Sequence, residues 1–233
     1  MLASETGKPL VQHVVDQVRQ CKNVSDVVVA TDDQRIVAAL RSYGTRCIFT
    51  DPHHPSGTDR VAEVARQLGG EADCVVNVQG DEPEIEPGTI DALAELIEEG
   101  RFGMWTAATP FKRAADASDP NLVKVVVSQT GRAMYFSRAA IPHLRDANSR
   151  DNLPPLSYYL HVGIYAYQRD VLLRLAGLKP TPCEQTEKLE QLRALEHDIE
   201  IGVTFIEHAA HGIDTPQQYR AFVDRYQVAT NQE

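Results

Sequence analysis

The chain has 233 residues, 42% of them hydrophobic, which is enough to bury a sizeable core as one large α/β domain or a domain with an insertion. Its 23 basic residues stand against 33 acidic ones, and the net charge of −10 excludes a broad surface for nucleic acid or an anionic membrane. No run approaches the roughly 20 apolar residues of a membrane span, and the N-terminus carries neither the basic nor the apolar region of a signal peptide, so the cytoplasm is the expected compartment.

Patterns of helix and strand alternate from the start. Residues 9–21, "PLVQHVVDQVRQC", repeat apolar side chains at helical spacing, and "DVVVATDD" follows as a short strand ending in acids. A second unit repeats the order. "QRIVAALRSYG" reads as a helix closed by Gly44, "RCIFT" as a strand, "GTDRVAEVARQLGG" as a helix stopped by paired glycines, and "CVVNVQ" as the next strand. Apolar strands joined by crossover helices imply a mostly parallel, doubly wound sheet covered on both faces. Ligands bind such sheets at the carboxyl ends of the strands, where Gln79, Gly80 and Asp81 lie.

The rhythm then changes. Residues 122–128, "LVKVVVS", and 132–136, "RAMYF", flank the turn-like "QTG" and read as a hairpin. Residues 143–157 are polar and proline-bearing, a surface excursion suited to a dimer arm, and "YYLHVGIYAY" returns as a strand. Residues 184–197, "EQTEKLEQLRALEH", read as one strong helix, "IGVTFIEH" as a late strand and "TPQQYRAFVDRYQ" as a closing helix. Nothing marks a linker, so residues 1–233 are expected to form a single domain with a mixed β insertion at about 122–170. The cysteines, Cys21, Cys47, Cys74 and Cys183, are far apart without a CxxC pair and read as reduced packing thiols.

The stretch "VVNVQGDEPEI" at 75–85 ends an apolar strand in two adjacent carboxylates. Asp81 and Glu82 either cap a loop ended by Pro83, or Asp81 holds a divalent cation. Magnesium prefers hard oxygens, takes one or two carboxylates, and fills its shell with water and phosphate. Gly80 leaves room for a nucleotide to approach the backbone. Asp214 in "GIDTP" reads equally well as the cap of the last helix, with Pro216 in its first turn. The pair His53 and His54 reads as a polar turn, and Lys8 as a solvated residue ahead of a helix. Leu189, Leu192 and Leu195 read as core, with Glu187 and Glu190 on a solvated face.

In chain order, "HHPSGTDR", "VNVQGDEP", "DPNLVKVV", "MYFSRAAIP", "HVGIYAY", "EKLEQLRAL" and "GIDTP" together resemble the 3-deoxy-manno-octulosonate cytidylyltransferases, the CMP-Kdo synthetases, over nearly the whole chain. The resemblance implies a nucleotidyltransferase fold, Mg2+, CTP and the sugar acid Kdo as substrates, CMP-Kdo for lipopolysaccharide synthesis, and a homodimer. Carried over to this sequence, Asp81 and Asp214 would be the catalytic metal carboxylates. Gln79 and Gly80 would meet the nucleotide, and Ser56, Gly57 and Thr58 would line its cytosine and ribose side. Arg138, His161 and Gln191 would take the carboxylate and hydroxyls of Kdo, a guanidinium suiting a carboxylate because it donates two parallel hydrogen bonds. Outside the resemblance, Arg138 reads as an ordinary ion pair and His161 as a satisfied core imidazole.

One departure stands out. The family begins with a buried strand and a phosphate loop rich in Arg, Ser, Gly and Lys, whereas "MLASETGKPLVQHVV" matches the stretch after that loop. The expectation is a start upstream of Met1, or a truncated chain. Two classes of function follow: an active cytidylyltransferase for Kdo or another sugar acid such as a sialic acid, or a non-catalytic relative that binds nucleotide or sugar.

Overall fold

A computed structural model describes residues 1–145, 158–209 and 212–230. They fall into two units, one of Met1–Leu68, Val78–Asp91 and Ala210–Glu233, the other of Gly69–Asn77 and Ala92–Ala209.

In the first unit, helix α1 (Leu10–Val18) turns Leu10, Val11, Val14, Val15 and Val18 inward, the spacing that its apolar stripe predicts. Strand β1 (Val28–Thr31) leads into helix α2 (Gln34–Leu40), whose first turn is capped by Asp33 accepting the Arg35 N–H at 2.8 Å. A short 3₁₀ turn carries α2 to Gly44 at φ +62°, where the left-handed backbone ends the helix. Strand β2 (Arg46–Phe49) then pairs parallel with β1. Helix α3 (Gly57–Leu68) follows. The last helix, α8 (Pro216–Thr230), sets Tyr219 and Phe222 against Leu10 of α1.

The second unit holds strand β3 (Cys74–Asn77), strand β4 (Met104–Pro110), the hairpin β5 (Lys124–Val127) and β6 (Ala133–Ser137), the long strand β7 (Tyr159–Gln168), and strand β8 (Ile201–Phe205). Helix α4 (Pro87–Glu98) runs into it from the first unit, and α5 (Arg169–Ala176) follows β7. The sheet runs β6-β5-β7-β4-β8 with β3 also on β7. It is mixed: β4 and β8 are parallel, while β7 is antiparallel to β3, β4 and β5. The α/β fold with a mixed β region is as the sequence led us to expect, but the mixing is not confined to the insertion and the sheet is not mostly parallel, because the long β7 runs antiparallel to each of the three strands it pairs with. The hairpin forms as read, turning at Gly131, whose φ is +81°. Its far edge curls onto β8, with the Val203 N–H donating to the Gly131 carbonyl at 2.8 Å. Gly202 of β8 lies flat against the Trp105 ring, which any Cβ there would strike.

One reading is corrected. Residues 184–197 are not a single helix: α6 (Pro182–Glu187) stops at Lys188, whose φ is +54°, and α7 (Gln191–Glu196) restarts after it. Leu189 and Leu192 are buried as expected. Arg193, read past by the periodicity, is buried in a two-pronged pair with Glu184, at 2.6 and 2.9 Å, which clamps the two short helices together. The dimer arm read at 143–157 lies, from residue 146 on, outside the described residues.

Candidate functional site

In the first unit, residues 79–82 turn just beyond the end of β3, the Glu82 N–H reaching the Gln79 carbonyl at 3.3 Å. The Asp81 carbonyl accepts the Ile213 N–H at 2.9 Å, which stitches "QGDEP" to "GIDTP". The two carboxylates then face each other over a glycine. A Cβ on Gly212 would lie 3.3 Å from Oδ2 of Asp81 and 4.0 Å from Oδ2 of Asp214. Burial first, and the charge of Asp214 with it, raise the Asp81 carboxyl above the ordinary aspartate range, outweighing its own N–H and the N-terminal ammonium, which pull the other way. Its neighbour Glu82 is buried with Oε2 unpaired among the described residues, and burial together with Asp81 pushes its carboxyl up to about 7.

Asp214 is not the helix cap. Thr215 fills that place: its hydroxyl accepts the Gln218 N–H at 3.2 Å, and the Gln218 side chain accepts the Thr215 and Asp214 N–H groups at 2.8 and 2.9 Å. The exposed Asp214 carboxylate is left free of capping. Among the described residues no group of three or more His, Cys, Asp or Glu side chains could hold a metal. Two hard carboxylates fit magnesium, which draws its other ligands from water and phosphate. Gln79 is exposed, and the face of Gly80 is covered by the Met1 thioether, 3.2 Å from where its Cβ would be.

The serine–glycine–threonine loop is anchored separately. Ser56 caps α3, donating to the Asp59 carboxylate at 2.7 Å and accepting its N–H at 3.2 Å. One turn on, Arg60 donates to Thr50 at 2.5 Å and to Asp32 at 3.1 Å, so the loop is fixed to the carboxyl ends of β1 and β2. Thr58 is buried, and a Cβ on Gly57 would meet nothing within 4 Å, leaving its open side available to a ligand. His54 pairs with Glu63 at 2.5 Å, a structural contact, as the polar-turn reading implied. Lys8 is not simply solvated: it is ion-paired with Asp16.

In the second unit Arg138 and Gln191 lie at the α6–α7 junction, and His161 lies on strand β7. The Arg138 Nε–H donates to the Glu187 carbonyl at 2.8 Å, Nη1 to the Pro120 carbonyl at 3.0 Å and Nη2 to the Lys188 carbonyl at 3.5 Å. These bonds fix the guanidinium and leave N–H groups over for an anion. Glu187 does not lie on a solvated face, because its carboxylate accepts the Ser137 hydroxyl at 2.6 Å and the Arg138 N–H at 3.0 Å. Lys124 went unnoticed in the sequence. It is fully buried and donates to the carbonyls of Asp119 at 3.0 Å and of Leu122 and Arg138 at 2.5 Å. His161 meets Phe136 edge-on at 5.0 Å and Tyr165 at 5.5 Å, and burial lowers its imidazole to about 3, so it is neutral. Gln191 opens α7, 6% exposed, with its amide making no hydrogen bond to a described residue.

The profile of the cytidylyltransferase family matches residues 2–201. A 3-deoxy-manno-octulosonate cytidylyltransferase of Geobacter metallireducens is 44% identical over 96% of this chain and 90% of its own length, and one of Geotalea uraniireducens is 45% identical over 96% and 91%. This chain belongs to the 3-deoxy-manno-octulosonate cytidylyltransferase family. A solved CMP:2-keto-3-deoxy-manno-octonic acid synthetase in complex with CTP superimposes with a TM-score of 0.90 at 38% identity, covering 98% of this chain and 91% of that one. The nucleotidyltransferase fold expected from the sequence is therefore the fold of this family member. Its carboxylate pair and its α6–α7 junction are built from the motifs "QGDEP", "GIDTP", "FSR" and "EKLEQ" that carry the resemblance.

Proposed function

We propose that the protein transfers CMP from CTP to 3-deoxy-D-manno-octulosonate, releasing pyrophosphate and supplying CMP-Kdo for lipopolysaccharide synthesis. The observation that carries this reading is the approach of Asp81 and Asp214 to one another across Gly212, with the cap of the last helix closed by Thr215 rather than by Asp214. Asp81 and Asp214 would hold Mg2+, which when bound neutralises charge on the nucleotide phosphates. Gln79 and Gly80 would meet the nucleotide beside them, and Ser56, Gly57 and Thr58 would line its cytosine and ribose side.

In the reaction, the anomeric hydroxyl of Kdo forms a bond to the α-phosphorus of CTP, the bond from that phosphorus to the bridging oxygen breaks, and pyrophosphate leaves. The hydroxyl proton passes to solvent, so no side chain is required as general base. Positioning by the chain supplies most of the rate. Arg138, already held by three carbonyls, offers its two remaining N–H groups to the Kdo carboxylate, while His161 and Gln191 offer hydrogen bonds to its hydroxyls. No helix among the described residues is long and apolar enough to cross a membrane, and a cytoplasmic enzyme without nucleic-acid partners is the simplest setting. Residues 122–170 are read as the region for sugar binding and for a homodimer, supported by Met134 on strand β6, 58% exposed.

The test is pyrophosphate release from CTP and Kdo. Asp81→Asn and Asp214→Asn should each abolish the magnesium-dependent rate with the fold intact, and a near-normal rate in either variant removes that residue from the metal site. Arg138→Ala should raise KM for Kdo and spare KM for CTP; an unchanged Kdo dependence returns it to a structural role. A wild-type protein that binds CTP or Kdo without turnover would favour the non-catalytic reading, and a monomer in sedimentation would remove the dimer.

A further inference from the structure

Strand β7 carries an irregularity opposite Thr106. The register with β4 jumps from Thr106↔Tyr165 to Ala107↔Val162, so Gly163 and Ile164 have no partner residue on β4. The Thr106 side chain, fully buried, sits in this break. Its Oγ1 lies 2.8 Å from the Ile164 carbonyl, 3.2 Å from the Val162 carbonyl and 3.0 Å from Nε2 of His161.

A hydroxyl has one hydrogen to give, and both carbonyls can only accept. If Nε2 were bare, three acceptors would compete for that single hydrogen. If Nε2 carries the proton, the hydroxyl accepts from the imidazole and its one hydrogen goes to the nearer carbonyl, that of Ile164, so only the longer contact to Val162 lacks a hydrogen of its own. A neutral imidazole protonated at Nε2 is bare at Nδ1. Nδ1 of His161 makes no hydrogen bond to any described residue, and the ring is flanked by Phe136 and Tyr165.

We infer that Thr106 is a positioning residue that locks His161 in the Nε2–H tautomer and so presents Nδ1 as an acceptor for a hydroxyl of the sugar acid, leaving the carboxylate to Arg138. A bare imidazole nitrogen repels a carboxylate oxygen and accepts from an alcohol. The two side chains therefore read different groups of one substrate, and a sugar acid with no hydroxyl at the His161 position is discriminated against. For its substrate the inference rests on the proposed function; for the tautomer it stands alone.

The tautomer is read directly by two-bond proton–nitrogen correlation spectra of the imidazole-labelled protein, with His161→Asn identifying which of the 8 histidines is His161. Wild type and Thr106→Ser should both show a protonated Nε2 and a bare Nδ1. Thr106→Val takes away the acceptor that holds the proton on Nε2, and the proton should move to Nδ1. With the acceptor lost, KM for Kdo should rise about tenfold in Thr106→Val with KM for CTP unchanged, and return to within about twofold in Thr106→Ser. A bare Nε2 in the wild type overturns the inference, as does a Thr106→Val protein whose spectrum and KM for Kdo are both unchanged. Should Thr106→Val fail to fold, the wild-type spectrum and the serine variant decide it. A wild type that neither binds nor turns over Kdo refutes the sugar acid in both readings, while the spectra still decide the role of Thr106.

Discussion

Replacing Lys124 with methionine tests whether the region proposed for the sugar is held by one buried ammonium. The side chain is fully buried, and Nζ donates to three carbonyls that close the loop before β5 against the end of β6. Three acceptors need three hydrogens, which only the charged amine supplies, even though burial pulls its pKa below the ordinary lysine range. Methionine matches the length of the stem and offers no hydrogen. The variant therefore loses three charge-assisted bonds and strands three carbonyls away from water. A hydrogen bond to a charged group is worth about 1.5–3 kcal/mol and an orphaned acceptor costs about 1–3 kcal/mol; breaking a buried charged cluster from one side costs about 3–5 kcal/mol. We expect a loss of about 3–5 kcal/mol, since part of each carbonyl recovers water. The only tryptophan, Trp105, is buried in strand β4 of the same unit, so urea unfolding followed by its fluorescence reports this unit. KM for Kdo should rise as well, because the carbonyl that Lys124 holds belongs to Arg138. A loss below about 1 kcal/mol would refute the reasoning, since it would mean that the three carbonyls find other donors at little cost.

Two further outcomes follow from the first unit. Gly212→Ala puts a methyl 3.3 Å from Oδ2 of Asp81, tighter than side chains usually pack, so Asp81 must shift; titration of activity with magnesium should show a raised requirement, and an unchanged curve would separate Gly212 from the carboxylate pair. His13 is buried, with ring contacts to Phe222 at 5.0 Å and Tyr226 at 4.7 Å, and burial, helped by Lys8, lowers it from 6.5 to about 4. Its folded pKa is depressed, so the stability it contributes is present above pH 6.5 and lost as pH falls towards 4, by at most roughly 3 kcal/mol. His13→Phe keeps the ring contacts, so chemical denaturation at pH 7.5 and pH 5 (about one pH unit to either side of the ordinary histidine pKa) should show a smaller acid loss than in wild type. Equal losses would mean that other groups carry the acid sensitivity.

Much of the fold was legible in local patterns, because α1, α3 and α8 bury one stripe each and β1, β2 and the β5–β6 hairpin are bounded by turn residues. The carboxylate pair was legible only as two motifs, "QGDEP" and "GIDTP". Whether Asp214 capped a helix or faced Asp81 depended on Thr215 and Gln218 closing the cap between themselves. Periodicity failed at 184–197 because Lys188 takes a left-handed backbone that no local signal demanded, and that break turns Glu187 onto Ser137 and Arg138, about 50 residues away in the chain. Lys124 and Thr106 were invisible for the same reason. A lysine in "LVKVVVS" and a threonine in "MWTAATP" look like ordinary strand residues until folding brings the Arg138 carbonyl to Lys124 and the Val162 and Ile164 carbonyls to Thr106, each within 3.2 Å. Sequence alone determined which segments bury an apolar face and which residue types stand at their ends. Which of those polar groups find partners, and which are left free for a metal or a sugar, was decided only by tertiary structure, because hydrogen bonds between distant segments depend on distances that no local pattern encodes.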